Sequence, residues 1–181
     1  MSVAELKALS EPAYSQQHQD ALLDTIFANI KPNASPYCVE FGFNAPSLDC
    51  EQSGANCAKL IAKHGWDYLL LDGRYENESI NLHKHFLTSS NICSIFRSYN
   101  VPVDCDYISI DVDSTDLWLF KSLLSEYNAK VYSVEFNPSF PHDRAITFIE
   151  ISHRYFGGDR AYGASLKALN DVAKEFNYSL L

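Results

Sequence analysis

Apolar residues along this chain form two kinds of pattern, short continuous runs and longer stretches with helical spacing. The continuous runs predict strands at residues 37–42, 66–73, 81–87, 107–113, 130–136, 145–152 and 178–181. Helical spacing predicts helices over residues 16–30, 55–64, 91–99, 117–127 and 164–176. Strands that alternate with helices are typical of a doubly wound α/β fold whose sheet is mostly parallel.

The pattern also suggests how the chain is divided. Residues 1–36 read as an N-terminal arm followed by a helix, and residues 37–181 read as one α/β domain. Residues 37–73 form a strand–helix–strand unit, which implies a right-handed parallel crossover. A chain of 181 residues is long enough to bury roughly 70% of its unfolded surface around one core.

Three acidic residues, Asp111, Asp113 and Asp116, lie at the end of the apolar run that starts at Tyr107 and just after it. Ligands of open α/β sheets bind outside the carboxyl ends of the strands, so these acids are candidates for a site. On a strand, Asp111 and Asp113 would face the same side and repel each other unless a cation lies between them. One interpretation is a helix cap with solvated acids. The other is a Mg²⁺ or Ca²⁺ site built from Asp111 or Asp113 with Asn137.

Two more strands end in an acid and a glycine, at Glu40-Phe41-Gly42 and Asp72-Gly73. Gly42 can adopt a positive φ and let a ligand approach the backbone, although an ordinary strand-to-loop glycine explains it equally well. A carboxylate at Asp72 suits a ribose diol, because it accepts from both hydroxyls. The helix near Ala55 offers free N–H groups to an anion. No GxGxxG motif follows the first strand.

The histidines offer one candidate general base. His142 follows the fifth strand, at the edge of the sheet where the site is expected. His83 and His85 alternate on the predicted edge strand, and without a third ligand at zinc spacing they read as surface histidines.

Charge and cysteine content narrow the class of protein. The chain has 23 acidic and 14 basic residues and a net charge of −9, which argues against nucleic-acid and anionic-membrane partners. Its 5 cysteines have no CxxC spacing and read as reduced thiols, which together with the lack of a signal-like or membrane-spanning run predicts a cytoplasmic protein.

A series of short motifs runs through residues 37–181. The motifs are Tyr37-Cys38-Val39-Glu40-Phe41-Gly42, Ser53-Gly54-Ala55-Asn56-Cys57, Leu71-Asp72-Gly73, Ser109-Ile110-Asp111-Val112-Asp113, Val134-Glu135-Phe136-Asn137-Pro138 and Tyr162-Gly163-Ala164-Ser165-Leu166. The series is similar to that of FkbM-like methyltransferase-domain proteins, and its most specific part is the Ser-Ile-Asp-x-Asp block.

The resemblance implies a Rossmann-like class I methyltransferase fold that uses S-adenosylmethionine (SAM). By position, Glu40 and Gly42 would lie beside the methionine part of the cofactor, and Asn56 would help to hold its carboxylate. Asp72 would bind the ribose hydroxyls, and Asp111 would face the sulfonium.

The chain departs from the family pattern in two places. The glycine-rich loop after the first strand is reduced to Gly42, and no clear seventh, antiparallel strand follows the sixth. Residues 145–152 or a partner subunit would have to replace that strand. An unfilled gap leaves strand edges open to association, and a homodimer is therefore expected.

The sequence thus predicts a SAM-dependent methyltransferase that acts on oxygen of a small molecule. Asp113 or His142 would take the proton of the acceptor. Two alternatives stay open: a non-catalytic methyltransferase-like binding or assembly module, and a cation-dependent enzyme of another class built on Asp111, Asp113 and Asn137.

Overall fold

The computed structural model describes residues 14–15, 19–45, 47–48, 53–150 and 162–181. Its centre is a five-stranded, all-parallel sheet with the strand order β3-β2-β1-β4-β5. The strands are β1 Tyr37–Phe41, β2 Asp67–Asp72, β3 Leu82–Lys84, β4 Tyr107–Ile110 and β5 Val131–Val134. The helices are α1 Gln19–Ile30, α2 Ala58–His64, α3 Ile92–Ser98, α4 Asp116–Leu124 and α5 Leu166–Glu175, with a 3-10 turn at Glu78–Ile80.

Alternate residues of the central strands supply two separate hydrophobic layers. Val39 and Ile108 pack with α3, α4 and α5 on one face of the sheet. Cys38 and Tyr107, their immediate neighbours in sequence, pack with α1 and α2 on the other face. A parallel sheet covered on both faces needs apolar residues in continuous runs, and this explains the strand pattern of the sequence. The fold is a Rossmann-like, doubly wound α/β fold, as predicted.

Gly42 directly follows β1 and packs against the loop that follows the neighbouring strand, β4. Its φ is +79°, and a Cβ atom at this position would overlap the backbone carbonyl oxygen of Asp111. Its N–H donates to the carbonyl oxygen of Leu71 at 2.9 Å. Only glycine fits, because both the backbone conformation and the space exclude a side chain.

The opposite, N-terminal edge of the sheet is closed by Asp106. This carboxylate is fully buried and accepts hydrogen bonds from the backbone N–H groups of Asn33 at 2.8 Å and Tyr37 at 3.1 Å. The ammonium of Lys130 lies 3.0 Å from its Oδ1. Asp106 therefore ties the turn before β1 and the start of β5 to β4.

The strands and helices observed in the described residues lie where the hydrophobic pattern predicted them, although most are shorter. Three predictions on strands are wrong. Residues 145–150 contain only an isolated bridge between Thr147 and Ala164, because Ser165 binds the backbone of this segment. Residues 178–181 form no strand, since Tyr178 packs its ring on Tyr132 and donates to Ala129.

The third error concerns the end of β4. The strand stops at Ile110, and Asp113 has a φ of +58°, so the alternation of faces that the sequence interpretation assumed for Asp111 and Asp113 does not apply. Residues 16–18, 151 and 152, which also belonged to predicted elements, lie outside the described residues. None of the helices in the described part of the chain combines the length and apolar character that crossing a bilayer requires.

Candidate functional site

A cavity of about 490 Å³ opens at the carboxyl edge of the sheet and is lined by the segments that follow all five strands. The lining residues are Gly42, Asn44, Asp72, Gly73, Arg74, Tyr75, His85, Phe86, Leu87, Asp111, Val112, Asp113, Ser114, Thr115 and Glu135. The cavity lies at the point between β1 and β4 where the strand order reverses, which is where doubly wound sheets bind ligands. Its volume is in the range of small-molecule sites.

Asp72 presents one carboxylate oxygen to this cavity. Its Oδ1 accepts from the backbone N–H groups of Arg74 at 2.6 Å and Tyr75 at 2.8 Å, which fixes the turn after β2. Its Oδ2 has no hydrogen-bond partner among the described residues. A nearly buried, oriented carboxylate with one unused oxygen can accept hydrogen bonds from a diol.

Glu40 is not among the residues that line the cavity, and its carboxylate is bonded to the segment before α2. Its two oxygens accept from the backbone N–H groups of Asn56 and Cys57, each at 2.7 Å. Two of the N–H groups that were predicted to be free for an anion are therefore bonded to Glu40. Burial raises the pKa of Glu40 to about 7, although these two N–H groups favour the charged form.

Asn56 lies two residues before the start of α2, and its amide points toward the sheet. Its Nδ2 donates to the hydroxyl of Ser109 at 2.9 Å, and Ser109 in turn accepts from the hydroxyl of Ser133 at 3.2 Å. The Oδ1 of Asn56 is buried and has no hydrogen-bond partner within the described ranges. A donor on a ligand would suit this atom better than a carboxylate would.

Three carboxylates meet at the ends of β4 and β5. One oxygen each from Asp111, Asp116 and Glu135 lies within 4.8 Å of the others. Both oxygens of the fully buried Asp116 accept backbone N–H groups, from Val112 at 2.8 Å and Ser114 at 3.1 Å. The Oε2 of Glu135 is buried without a partner in the described chain.

The pKa values of these three acids are raised, in each case mainly by burial. The pKa of Asp111 rises to about 6, with Asp113 adding repulsion. The pKa of Asp116 rises to about 7 and that of Glu135 to about 8, with the neighbouring carboxylates contributing to both. A cation bound among the three oxygens would offset this repulsion.

The other predicted ligands lie beside this trio. Asp113 is exposed and lines the cavity, where the charge of Arg74 partly counteracts the rise in its pKa that burial causes. Asn137 is buried, and its amide donates to the carbonyl oxygen of Tyr162 and accepts from the N–H of Ser139. The structure therefore groups Glu135, and not Asn137, with Asp111.

Glu135 was not among the predicted site residues, although its position after β5 is a signal that the sequence contains. Asp111 and Glu135 are each the first residue after neighbouring strands, and Ile110 pairs with Val134 in the sheet register. Once β4 and β5 are known to be parallel neighbours, these two acids must lie side by side.

The histidines are arranged differently from the expectation. His142 is exposed in a turn and is not among the residues that line the cavity. His85 does line it, with its Nε2 2.9 Å from the hydroxyl oxygen of Tyr99. Burial lowers the pKa of His85, and the neighbouring His83 adds to this effect.

Comparison of the chain with protein-family models, with curated proteins and with solved structures found no match.

Proposed function

We propose that the protein is a SAM-dependent methyltransferase that acts on an oxygen atom of a small molecule, in keeping with its resemblance to FkbM-like proteins. The observation that carries the proposal is the cavity at the strand-order reversal, with the unused oxygen of Asp72 on one side and Asp111 on the other. The first suits a ribose diol, and the second is the acid nearest the reversal.

The residues present fit such a cofactor in shape and in charge. The cavity of about 490 Å³ is large enough for a nucleoside-type ligand, and Gly42 contributes no side chain to its lining. Asp72 would hold the ribose, and Asp111 would face the positive charge. When bound, SAM would supply a methyl group activated on a sulfonium.

Residues of the chain itself would align the methyl acceptor and take up its proton. Burial raises the pKa of Glu135, which lines the cavity, to about 8, and its ionised carboxylate is therefore a stronger base than an ordinary one. Asp113 also lines the cavity and is a second candidate for this role. His142 lies outside the lining and is not assigned a role in the proposal.

Calorimetry with S-adenosylhomocysteine (SAH) and SAM tests the proposal. We expect the wild type to bind both, and Asp72→Asn to weaken binding about tenfold or more, because a charged hydrogen-bond acceptor is lost. Asp67→Asn, an exposed change at the start of the same strand, serves as the matched control. Absence of SAM and SAH binding to the folded wild type would refute the proposal.

A second candidate is a cation-dependent enzyme of another class, and the oxygen trio of Asp111, Asp116 and Glu135 favours it. Carboxylate oxygens are the ligands that Mg²⁺ and Ca²⁺ prefer. Titration of metal-free protein with each ion should then show binding that Glu135→Gln removes. Catalysis that is abolished by chelation and needs no SAM would favour this candidate over the first.

A further inference from the structure

We propose that the acceptor molecule carries a positively charged group, such as a protonated amine, which binds in the part of the cavity formed by the ends of β4 and β5. We call this part the acceptor half; it consists of residues 111–115 and Glu135. The inference rests on the proposed function, in which the cofactor occupies the side of the cavity that carries Asp72.

Charge within the acceptor half is of one sign. Asp111, Asp113 and Glu135 line it, and the fully buried Asp116 lies directly behind. No lysine, arginine or histidine of the described chain lines this half, since Arg74 and His85 belong to the segments after β2 and β3. An anionic acceptor would meet repulsion from these carboxylates at close range, and Arg74 offsets part of it at Asp113.

Unsatisfied hydrogen-bond capacity points to the same conclusion independently of charge. The Oε2 of Glu135 is shielded from solvent and has no partner in the described ranges. Buried acceptors are normally satisfied, because an unmade hydrogen bond costs free energy. An ammonium group brings three donors and no acceptor, and so matches this oxygen of Glu135 together with the exposed carboxylates of Asp111 and Asp113 beside it.

A single metal ion would not contact all the carboxylates of the acceptor half. The oxygen trio that could surround an ion includes Asp111, Asp116 and Glu135 but leaves Asp113 outside. Asp113 lines the same wall, and within the described residues the opposite charge that acts on it is that of Arg74. One divalent ion would therefore still leave this wall acidic, and an extended organic cation could contact Asp113 as well as the trio.

Three probes of equal length but different charge test the inference: 1,5-diaminopentane, 1,5-pentanediol and glutarate. Each is titrated by ligand-observed NMR against the wild type, with and without saturating SAH, in EDTA and again with Mg²⁺. We expect the diamine to bind more tightly than the diol, glutarate not to bind, and high salt to weaken the diamine.

Two variants make the test specific to the acceptor half. Asp113→Asn should weaken diamine binding about tenfold or more, because it removes a carboxylate that faces the cavity. Asp143→Asn removes the same charge from an exposed turn outside the lining and should leave binding unchanged. Both changes are at exposed positions, so both proteins should fold.

Diol or glutarate binding that equals diamine binding would overturn the inference, as would equal losses in the two variants. Displacement of the diamine by Mg²⁺ with a gain for the diol would identify a metal as the occupant and would also overturn it. Diamine binding without any SAH binding would refute the methyltransferase and leave the preference for a cation standing.

Discussion

The carboxylates at the two edges of the sheet have opposite surroundings. At the N-terminal edge, Asp106 receives two backbone N–H groups and the ammonium of Lys130. At the carboxyl edge, Asp111 and Glu135 crowd together with Asp116, and the Oε2 of Glu135 has no partner in the described residues. Asp106 and Asp111 flank the same four-residue strand, β4. A carboxylate whose hydrogen bonds are satisfied within the chain stabilises the fold, whereas one left unsatisfied is available to a ligand.

The largest expected effect on stability comes from removing the Asp106 carboxylate at the N-terminal edge. Asp106→Ala leaves two backbone N–H groups and the half-buried Lys130 without their acceptor, and should lower the free energy of unfolding by about 3 kcal/mol. Urea denaturation measures the change. Asp104→Ala, an exposed acid two residues earlier, should change stability by less than about 0.5 kcal/mol. Equal effects of the two substitutions would contradict the role assigned to Asp106.

A smaller effect is expected where β1 and β4 meet at the carboxyl edge. Gly42→Ala forces a side chain against the carbonyl oxygen of Asp111 at a positive φ, and should cost about 2 kcal/mol. Gly73→Ala is the matched control, because no atom lies within 4 Å of the added Cβ and its φ is not in the positive region. Thermal unfolding of both variants compares them, and a tolerated Gly42→Ala would show that the approach of the two segments can relax.

The smallest expected effect is a dependence of stability on pH that Glu135 causes at the carboxyl edge. The pKa of Glu135 in the folded protein, about 8, is above its ordinary value of 4.5, so the folded state binds more protons than the unfolded state between these values. Stability should therefore fall as the pH rises through this window.

Glu135→Gln removes this loss, and at pH 8 we expect the variant to be more stable than the wild type by about 1 kcal/mol, since Glu135 is partly exposed and solvent screens its charge. Urea denaturation at pH 5 and pH 8 measures the difference. Parallel pH profiles of the wild type and the variant would show that burial and the neighbouring carboxylates do not raise the pKa of Glu135. The exposed Glu175→Gln on α5 serves as the control.

Much of the architecture follows from local pattern. The continuous apolar runs of β1, β2 and β4 identify strands that are covered on both faces, and the helical spacing in residues 164–176 identifies α5. The positions of Asp72 and Asp111 at strand ends also follow, because an acid after a buried run must emerge at an edge. The errors occur at chain segments whose conformation depends on distant side chains, as at Tyr178, which bonds to Ala129.

The sequence by itself determined the alternation of elements, and with it the edge of the sheet to which each acid belongs. Tertiary structure decided which acids are used within the chain and which remain for a ligand. Glu40 is satisfied by amides 16 and 17 residues away, and Asn137 by the loop at Tyr162, whereas Glu135 lies beside Asp111 only because β5 pairs with β4. Hydrogen-bond partners distant in sequence leave no local pattern, and the roles of these side chains therefore became visible only in the folded chain.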